Sequence, residues 1–169
     1  MNRNIILIGF MGAGKTVAAN ELAKRLKRMV FSTDLLIEQK EGKSIAEIFK
    51  VNGEDYFRRQ EEAVVADLSK KDNLIIDCGG GVFLNPKNRK SLKKNGLTFY
   101  LAASPEVVHQ RTRNSRQRPL LNTSDPKKVI KDLLAKREQF YKQADHTIDT
   151  DGKTNEQVCN EIEEILSHG

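Results

Sequence analysis

Eight residues close to the amino end carry a spacing that can hold a phosphate. Gly9-Phe10-Met11-Gly12-Ala13-Gly14-Lys15-Thr16 fits G-x-x-x-x-G-K-[ST] at each fixed position. Glycines let such a loop turn tightly and aim the N–H groups around Gly12, Ala13 and Gly14 inward, where the following helix adds its positive end. Lys15 is then the cation for the β- and γ-phosphates of a nucleoside triphosphate. The Thr16 hydroxyl is a ligand for Mg²⁺.

The flanking elements suit that chemistry. Ile5-Ile6-Leu7-Ile8 reads as a buried parallel strand before the loop. After it, "VAANELAKRLKR" reads as a helix with Val17, Leu22, Ala23 and Leu26 on its inner face. Along the rest of the chain short apolar runs alternate with helical stretches, and no internal repeat is present. Strands are predicted at 4–8, 29–32, 74–77, 97–101 and 146–148. Helices are predicted at 15–28, 44–51, 54–70, 86–94, 105–112, 126–143 and 155–166. Ser44 with Glu47 forms a capping box, and Asn95-Gly96 and Gly152 read as turns. The pattern implies an α/β fold: a three-layer αβα sandwich around a five-stranded parallel sheet, as one domain over 1–169. Ligands of such sheets bind at the carboxyl ends of the strands, so the residues just after each strand matter most.

Four stretches follow or face those ends: Ser32-Thr33-Asp34, Asp77-Cys78-Gly79-Gly80-Gly81, "RTRNSRQRPLL" from Arg111 to Leu121, and Arg137 in "AKREQFY". The third is long and polar for a connection in a compact domain and carries Arg111, Arg113, Arg116 and Arg118, which favours a lid that closes over phosphate. Gly79-Gly80-Gly81 is more glycine than a plain turn requires and implies close approach of a ligand. Arg58 and Arg59 are neighbours on a predicted helix and point about 100° apart, so at most one faces a given pocket. Spacing alone does not say which.

Composition narrows the class. The 169 residues include 29 Lys and Arg against 23 Asp and Glu, a net charge of +6. That charge has no single block and little aromatic interleaving, so an anionic small substrate is favoured over nucleic acid. "KNRKSLKK", Lys87 to Lys94, reads as a solvated helix face. No apolar run approaches the roughly 20 residues of a membrane span. The chain starts directly on its first strand, and Cys78 and Cys159 form neither a ligand cluster nor a disulfide framework. A cytoplasmic monomer without a signal peptide is expected.

Taken together, these residues resemble the shikimate kinase family, a nucleoside-monophosphate-kinase-like branch of P-loop phosphotransferases. The resemblance covers the whole chain. It rests on GFMGAGKT at 9–16, the segment ending in Asp34, "SIAEIF" at 44–49, "GEDYFRRQEE" at 53–62, GGG at 79–81, "RPLL" at 118–121 and Arg137 in "KREQFY". It implies ATP-dependent phosphorylation of the 3-hydroxyl of shikimate, on the route to chorismate and aromatic amino acids. It also implies a substrate-binding segment at about 33–61 and a lid at about 112–125. By the same resemblance Asp34 holds substrate hydroxyls, Arg58 and Arg137 grip the carboxylate, and the Gly79, Gly80 and Gly81 backbone lines the substrate. Arg118 reaches the nucleotide phosphates, Arg111 lies near ATP, and the adenine site falls around Thr150–Lys153. The chemistry is apt: forked arginine donors suit a carboxylate, and an aspartate suits hydroxyls.

The chain departs from the family at one position. The usual pattern D-[ST]-D places an acid two residues before Asp34, where it serves the hydrated Mg²⁺; here Ser32 stands there. Asp77, ending the apolar run "LIID", is the candidate to take over that service, the alternative being a carboxylate that only caps a turn or pairs with a lysine. Two other readings remain: a gluconate-type or nucleoside-monophosphate kinase of the same fold, and a catalytically impaired nucleotide-binding relative.

Overall fold

The computed structural model describes residues 3–114 and 121–168. Five strands form one parallel sheet: β1 (Asn4–Ile8), β2 (Met29–Ser32), β3 (Leu74–Asp77), β4 (Gly96–Ala102) and β5 (His146–Asp149), in the order β2-β3-β1-β4-β5. Every residue of β1 and β3 is buried. Successive side chains of a strand point to opposite faces, so both faces of the sheet centre are covered, which is why these strands read as unbroken apolar runs. The register sets Leu7 beside Asp77 and Asp77 beside Ser32. The carboxyl ends of β1, β2 and β3 therefore meet at one place.

Eight α-helices surround the sheet among the described residues: α1 (Lys15–Leu26), α2 (Thr33–Glu41), α3 (Ile45–Asn52), α4 (Glu54–Leu68), α5 (Pro86–Asn95), α6 (Pro105–Thr112), α7 (Pro126–Tyr141) and α8 (Asn155–His168). None is long and apolar enough to cross a membrane. Side-chain caps define most of the starts: Ser44 with Glu47 as a full capping box on α3, Asn85 on α5, Ser104 on α6 and Asp125 on α7. The main core gathers the strands with Ala18, Ala19, Leu22, Val65, Val108, Ile130, Tyr141 and Ile162. A separate cluster of Ile37, Ile48 and Phe57 joins α2, α3 and α4, with the rings of Phe49 and Phe57 4.9 Å apart. The 33–61 segment thus has a small core of its own.

Three sequence readings change. Residues 33–41, without a predicted element, form α2: Ser32 Oγ accepts from the Leu35 N–H at 3.3 Å, and Gly42 ends the helix at φ +63°. Val17, expected on the inner face of α1, is exposed; the buried stripe is Lys15, Ala18, Ala19 and Leu22, because Lys15 turns into the loop and sets the phase. Asn95-Gly96 is no separate turn, since α5 runs straight into β4. Gly96 has ordinary extended φ, and a Cβ there would strike the Ile6 side chain. The remaining boundaries differ by a few residues. α1, for one, stops at Leu26 because Lys27 adopts the left-handed conformation, φ +53°.

Candidate active site

The loop after β1 wraps its own lysine. Gly9, Gly12 and Gly14 all have positive φ (+145°, +75° and +93°), which side chains other than glycine rarely tolerate. The Lys15 side chain is almost fully buried, and its Nζ donates to the Gly9 and Phe10 carbonyls at 3.0 Å each. Thr16 Oγ1 donates to Asp77 Oδ2 at 2.6 Å. Burial pushes the Asp77 carboxyl up, while Lys15 and the Thr16 bond pull it down. Thus the phosphate-loop hydroxyl and the strand-end acid are in direct contact, as the sequence reading of Asp77 requires. Ser32, beside Asp77 in the sheet, is spent on capping α2.

The three glycines after β3 form a strap with a different logic. None of them has positive φ. Instead each lies against one functional side chain. A Cβ on Gly79 would collide with the Asp34 carboxylate, and one on Gly81 would collide with the Arg58 guanidinium. One on Gly80 would stand 3.4 Å from Arg137 Nη1, with the Gly9 carbonyl 3.8 Å away. A side chain at Gly79 or Gly81 would push Asp34 or Arg58 aside, whereas one at Gly80 would meet Arg137 at ordinary contact distance. The strap thereby collects Asp34 from α2, Arg58 from α4 and Arg137 from α7 on one short piece of chain beside the phosphate loop.

Charged groups on these elements act on one another across the strap. Burial raises the Asp34 carboxyl, which Lys15 and Arg58 lower and which Asp77 and Glu38 raise further. Arg58 donates to Glu61 Oε1 at 2.9 Å and, more loosely, to Glu54 at 3.4 Å. Although burial works against its charge, these two carboxylates hold Arg58 firmly protonated. Glu61 is itself buried, and desolvation lifts its carboxyl against the pull of Arg58. Arg137 sits over the Phe10 ring, 5.7 Å from its centre, so a residue of the phosphate loop helps hold the second arginine. Arg59 lies on the surface over Tyr56, and of the two adjacent arginines Arg58 is the one that meets the strap.

Arg111 is drawn to the same loop from α6. It donates to the Gly12 and Ala13 carbonyls at 3.3 and 3.4 Å, and to the Thr150 hydroxyl and carbonyl at 3.3 Å. It ties the phosphate loop to the turn after β5. Arg118 and the middle of the expected lid, 115–120, lie outside the described residues. Sequence reasoning missed Glu61, Thr33 and Tyr141. For Glu61 a signal existed, since it stands three residues after Arg58 on a helix. The other two act on backbone atoms distant in sequence, which no local pattern announces. No group of three or more His, Cys, Asp or Glu capable of holding a metal occurs among the described residues, so a cation here would depend on few protein oxygens.

Comparison with known proteins agrees with this geometry. The sequence model of the family described as shikimate kinase matches residues 11–167. The shikimate kinase of Caldanaerobacter subterraneus subsp. tengcongensis is 46% identical over 95% of this chain and 94% of its own length. That of Pelotomaculum thermopropionicum is 44% identical over 97% and 95%. The structure of the Acinetobacter baumannii shikimate kinase in complex with shikimate superposes with a TM-score of 0.94 at 35% identity, covering 99% of this chain and 94% of that one. With phosphate loop, glycine strap and full-length similarity in accord, the chain belongs to the shikimate kinase family.

Proposed function

We propose that this chain transfers the γ-phosphoryl group of ATP to the shikimate 3-hydroxyl, giving ADP and shikimate 3-phosphate. In this reading Asp34, Arg58, Arg137 and the Gly79–Gly81 backbone hold the acceptor. Lys15, Thr16 and the loop N–H groups of Gly12, Ala13 and Gly14 hold the triphosphate. The observation that carries the acceptor site is the strap, whose glycines back one aspartate and two arginines, the donors and acceptor a hydroxylated carboxylate needs.

The chemistry follows from position and charge. Phosphoryl transfer passes through a loose transition state, so the protein chiefly aligns the attacking hydroxyl and neutralises spreading charge. Asp34 accepts a hydrogen bond from that hydroxyl and orients it; the carboxyl sits between Lys15 and Arg58 in charge terms. Lys15 exchanges its two carbonyl partners for phosphate oxygens when nucleotide enters. Arg111 steadies the loop near the adenine end, and Arg118, by family resemblance, serves the phosphates from a lid over 112–125. The segment 33–61, with its own small core, is the acceptor-binding part of a single domain.

Mg²⁺ fits the donor set: a hydroxyl and a carboxylate, both hard oxygen groups, touch at the loop mouth. Thr16 would hold the ion and Asp77 would hold it or its waters, in place of an acid at Ser32. When bound, the ion neutralises charge on the β- and γ-phosphate oxygens. We place the protein in the cytoplasm, in keeping with its two free buried thiols, Cys78 and Cys159, and expect a monomer by light scattering.

A coupled ADP-release assay with a panel of acceptors tests the reaction: turnover with shikimate and none with gluconate or nucleoside monophosphates is expected, and the reverse overturns it. Arg58→Ala and Arg137→Ala should each cost about 2–5 kcal/mol in shikimate kcat/KM. Asp77→Asn should need more Mg²⁺ for half-maximal rate, and Ser32→Asp in that background should recover part of the loss. An unchanged magnesium titration removes Asp77 from the site.

A further inference from the structure

The strap is pinned one peptide at a time. The Gly79 N–H, part of the 78–79 peptide, donates to Thr33 Oγ1 at 2.9 Å. The Gly79 carbonyl, part of the 79–80 peptide, accepts from the Val82 N–H at 3.1 Å. The Gly80 carbonyl, part of the 80–81 peptide, accepts from the Tyr141 hydroxyl at 2.6 Å. In a trans peptide the N–H points opposite the C=O, so each anchor fixes where the other end of its plane points. The ends left over are the Cys78 carbonyl and the Gly80 and Gly81 N–H groups, and among the described residues neither N–H donates to protein. Two successive N–H groups of this kind form a concavity that suits an anion.

Val82 can hold its peptide simply by continuing into a helical turn. The Tyr141 anchor is different in kind, because it comes from another element. Tyr141 is fully buried, its ring tilts against Tyr100 at 5.2 Å between centres, and its hydroxyl reaches the strap from the last turn of α7. Arg137 stands one helical turn earlier on the same face, beside the same glycine. One helix therefore presents both the guanidinium and the hydroxyl that fixes the adjoining backbone donor.

We propose that Tyr141 is a positioning residue for the acceptor carboxylate: by holding the Gly80 carbonyl it aims the Gly81 N–H into the space flanked by Arg58 and Arg137. This rests on the reading that the strap and its two arginines bind the carboxylate of shikimate. Tyr141 touches no substrate atom in this account; it sets the direction of a donor that does.

The test is Tyr141→Phe, which keeps the ring and removes the hydroxyl, and with it both the bond to the Gly80 carbonyl and a bond with Arg137; the same change made on Arg137→Ala reads the Gly80 bond alone. Shikimate KM should rise about five- to tenfold, the worth of one buried hydrogen bond, while ATP KM and kcat stay close to wild type and the melting temperature falls by only a few degrees. An analogue carrying hydroxymethyl in place of the carboxylate should show no such rise. Unchanged shikimate KM overturns the proposal. So does a rise shared equally by ATP or by the uncharged analogue, which marks general loosening. If Tyr141→Phe does not fold, 4-fluorophenylalanine at position 141, which keeps the bulk at the hydroxyl but cannot donate, runs the same test, with the same split expected and the same outcomes against it. Arg137→Ala, run alongside, separates the two levels. If it too leaves shikimate KM unchanged, the acceptor site itself is misplaced; if only the tyrosine variant is silent, the positioning role alone fails.

Discussion

Two glycine-rich segments leave neighbouring strands of the sheet; Gly9 and Gly12 of the first combine positive φ with close neighbours, but Gly14 of the first and Gly79 and Gly81 of the second are glycine for different reasons. In the loop after β1, Gly14 has φ +93° with no atom within 4 Å of where a Cβ would stand. The demand there is on backbone shape. In the strap after β3 no glycine has positive φ, yet a Cβ at Gly79 or Gly81 would force the Asp34 or Arg58 side chain to move. The demand there is on proximity. A shape requirement recurs wherever a backbone must wrap a phosphate. A proximity requirement depends on which side chains crowd the backbone, and so carries information about the acceptor.

The sharpest way to break this distinction is Gly81→Ala. The new methyl group would displace Arg58 from Glu61, and we expect about 3 kcal/mol, roughly a hundredfold, in shikimate kcat/KM with ATP KM unchanged. Equal damage to both substrates would erase the contrast. Gly14→Ala should act the other way round: positive φ costs a side chain about 1–2 kcal/mol, so ATP KM should rise about tenfold while shikimate KM holds. A third substitution sharpens the acceptor side. Arg59→Ala should change kcat/KM by no more than about 0.5 kcal/mol, as for other surface positions, against the large loss at Arg58. If Arg59→Ala matches Arg58→Ala, the strap contact does not identify the binding arginine.

An effect on stability alone, with none on either substrate, should come from outside both loops. Asp145 Oδ2 accepts from the Thr98 N–H and hydroxyl at 2.9 and 2.6 Å, and Oδ1 pairs with Lys93 at 2.9 Å, clasping α5, β4 and the start of β5. Burial pushes its carboxyl up, but the bonds from Thr98 and Lys93 outweigh it and leave the carboxyl below its usual value. A lowered folded value means stability that is present above the ordinary carboxylate range and lost as pH falls through the lowered one. Asp145→Asn should therefore cost about 1 kcal/mol in thermal unfolding at neutral pH, after allowance for its partial exposure. The two melting curves should converge in acid, and neither substrate KM should move.

What the sequence disclosed divides along the same line. The phosphate loop was legible to the residue, because a shape requirement is written locally as glycines at fixed spacing. The sheet order's consequence, Asp77 beside the loop, was legible from the apolar run "LIID" and the rule for parallel sheets. The purpose of three glycines was not, since the groups that crowd them come from α2, α4 and α7. Nor was the choice between Arg58 and Arg59 legible from helix geometry; it takes the strap and Glu61 to decide it. α2 was missed although Ser32 and Gly42 mark both its ends. The polar residues at its start drew attention as a strand terminus, and a helix that starts directly after a strand leaves no loop to signal the change.

Ser32 and Asp77 stand opposite each other in the register of two adjacent strands. Aligned position by position, they are independent columns forty-odd residues apart; in space they are a single address. A carboxylate that leaves one column and appears in the other counts as two unrelated substitutions on paper. In the folded chain it is a step across one strand spacing, about 5 Å. An inventory drawn from columns scores this chain as missing an acid, while one drawn from neighbourhoods finds a carboxylate at the same address. Relatives that differ at one of these positions are best compared at both.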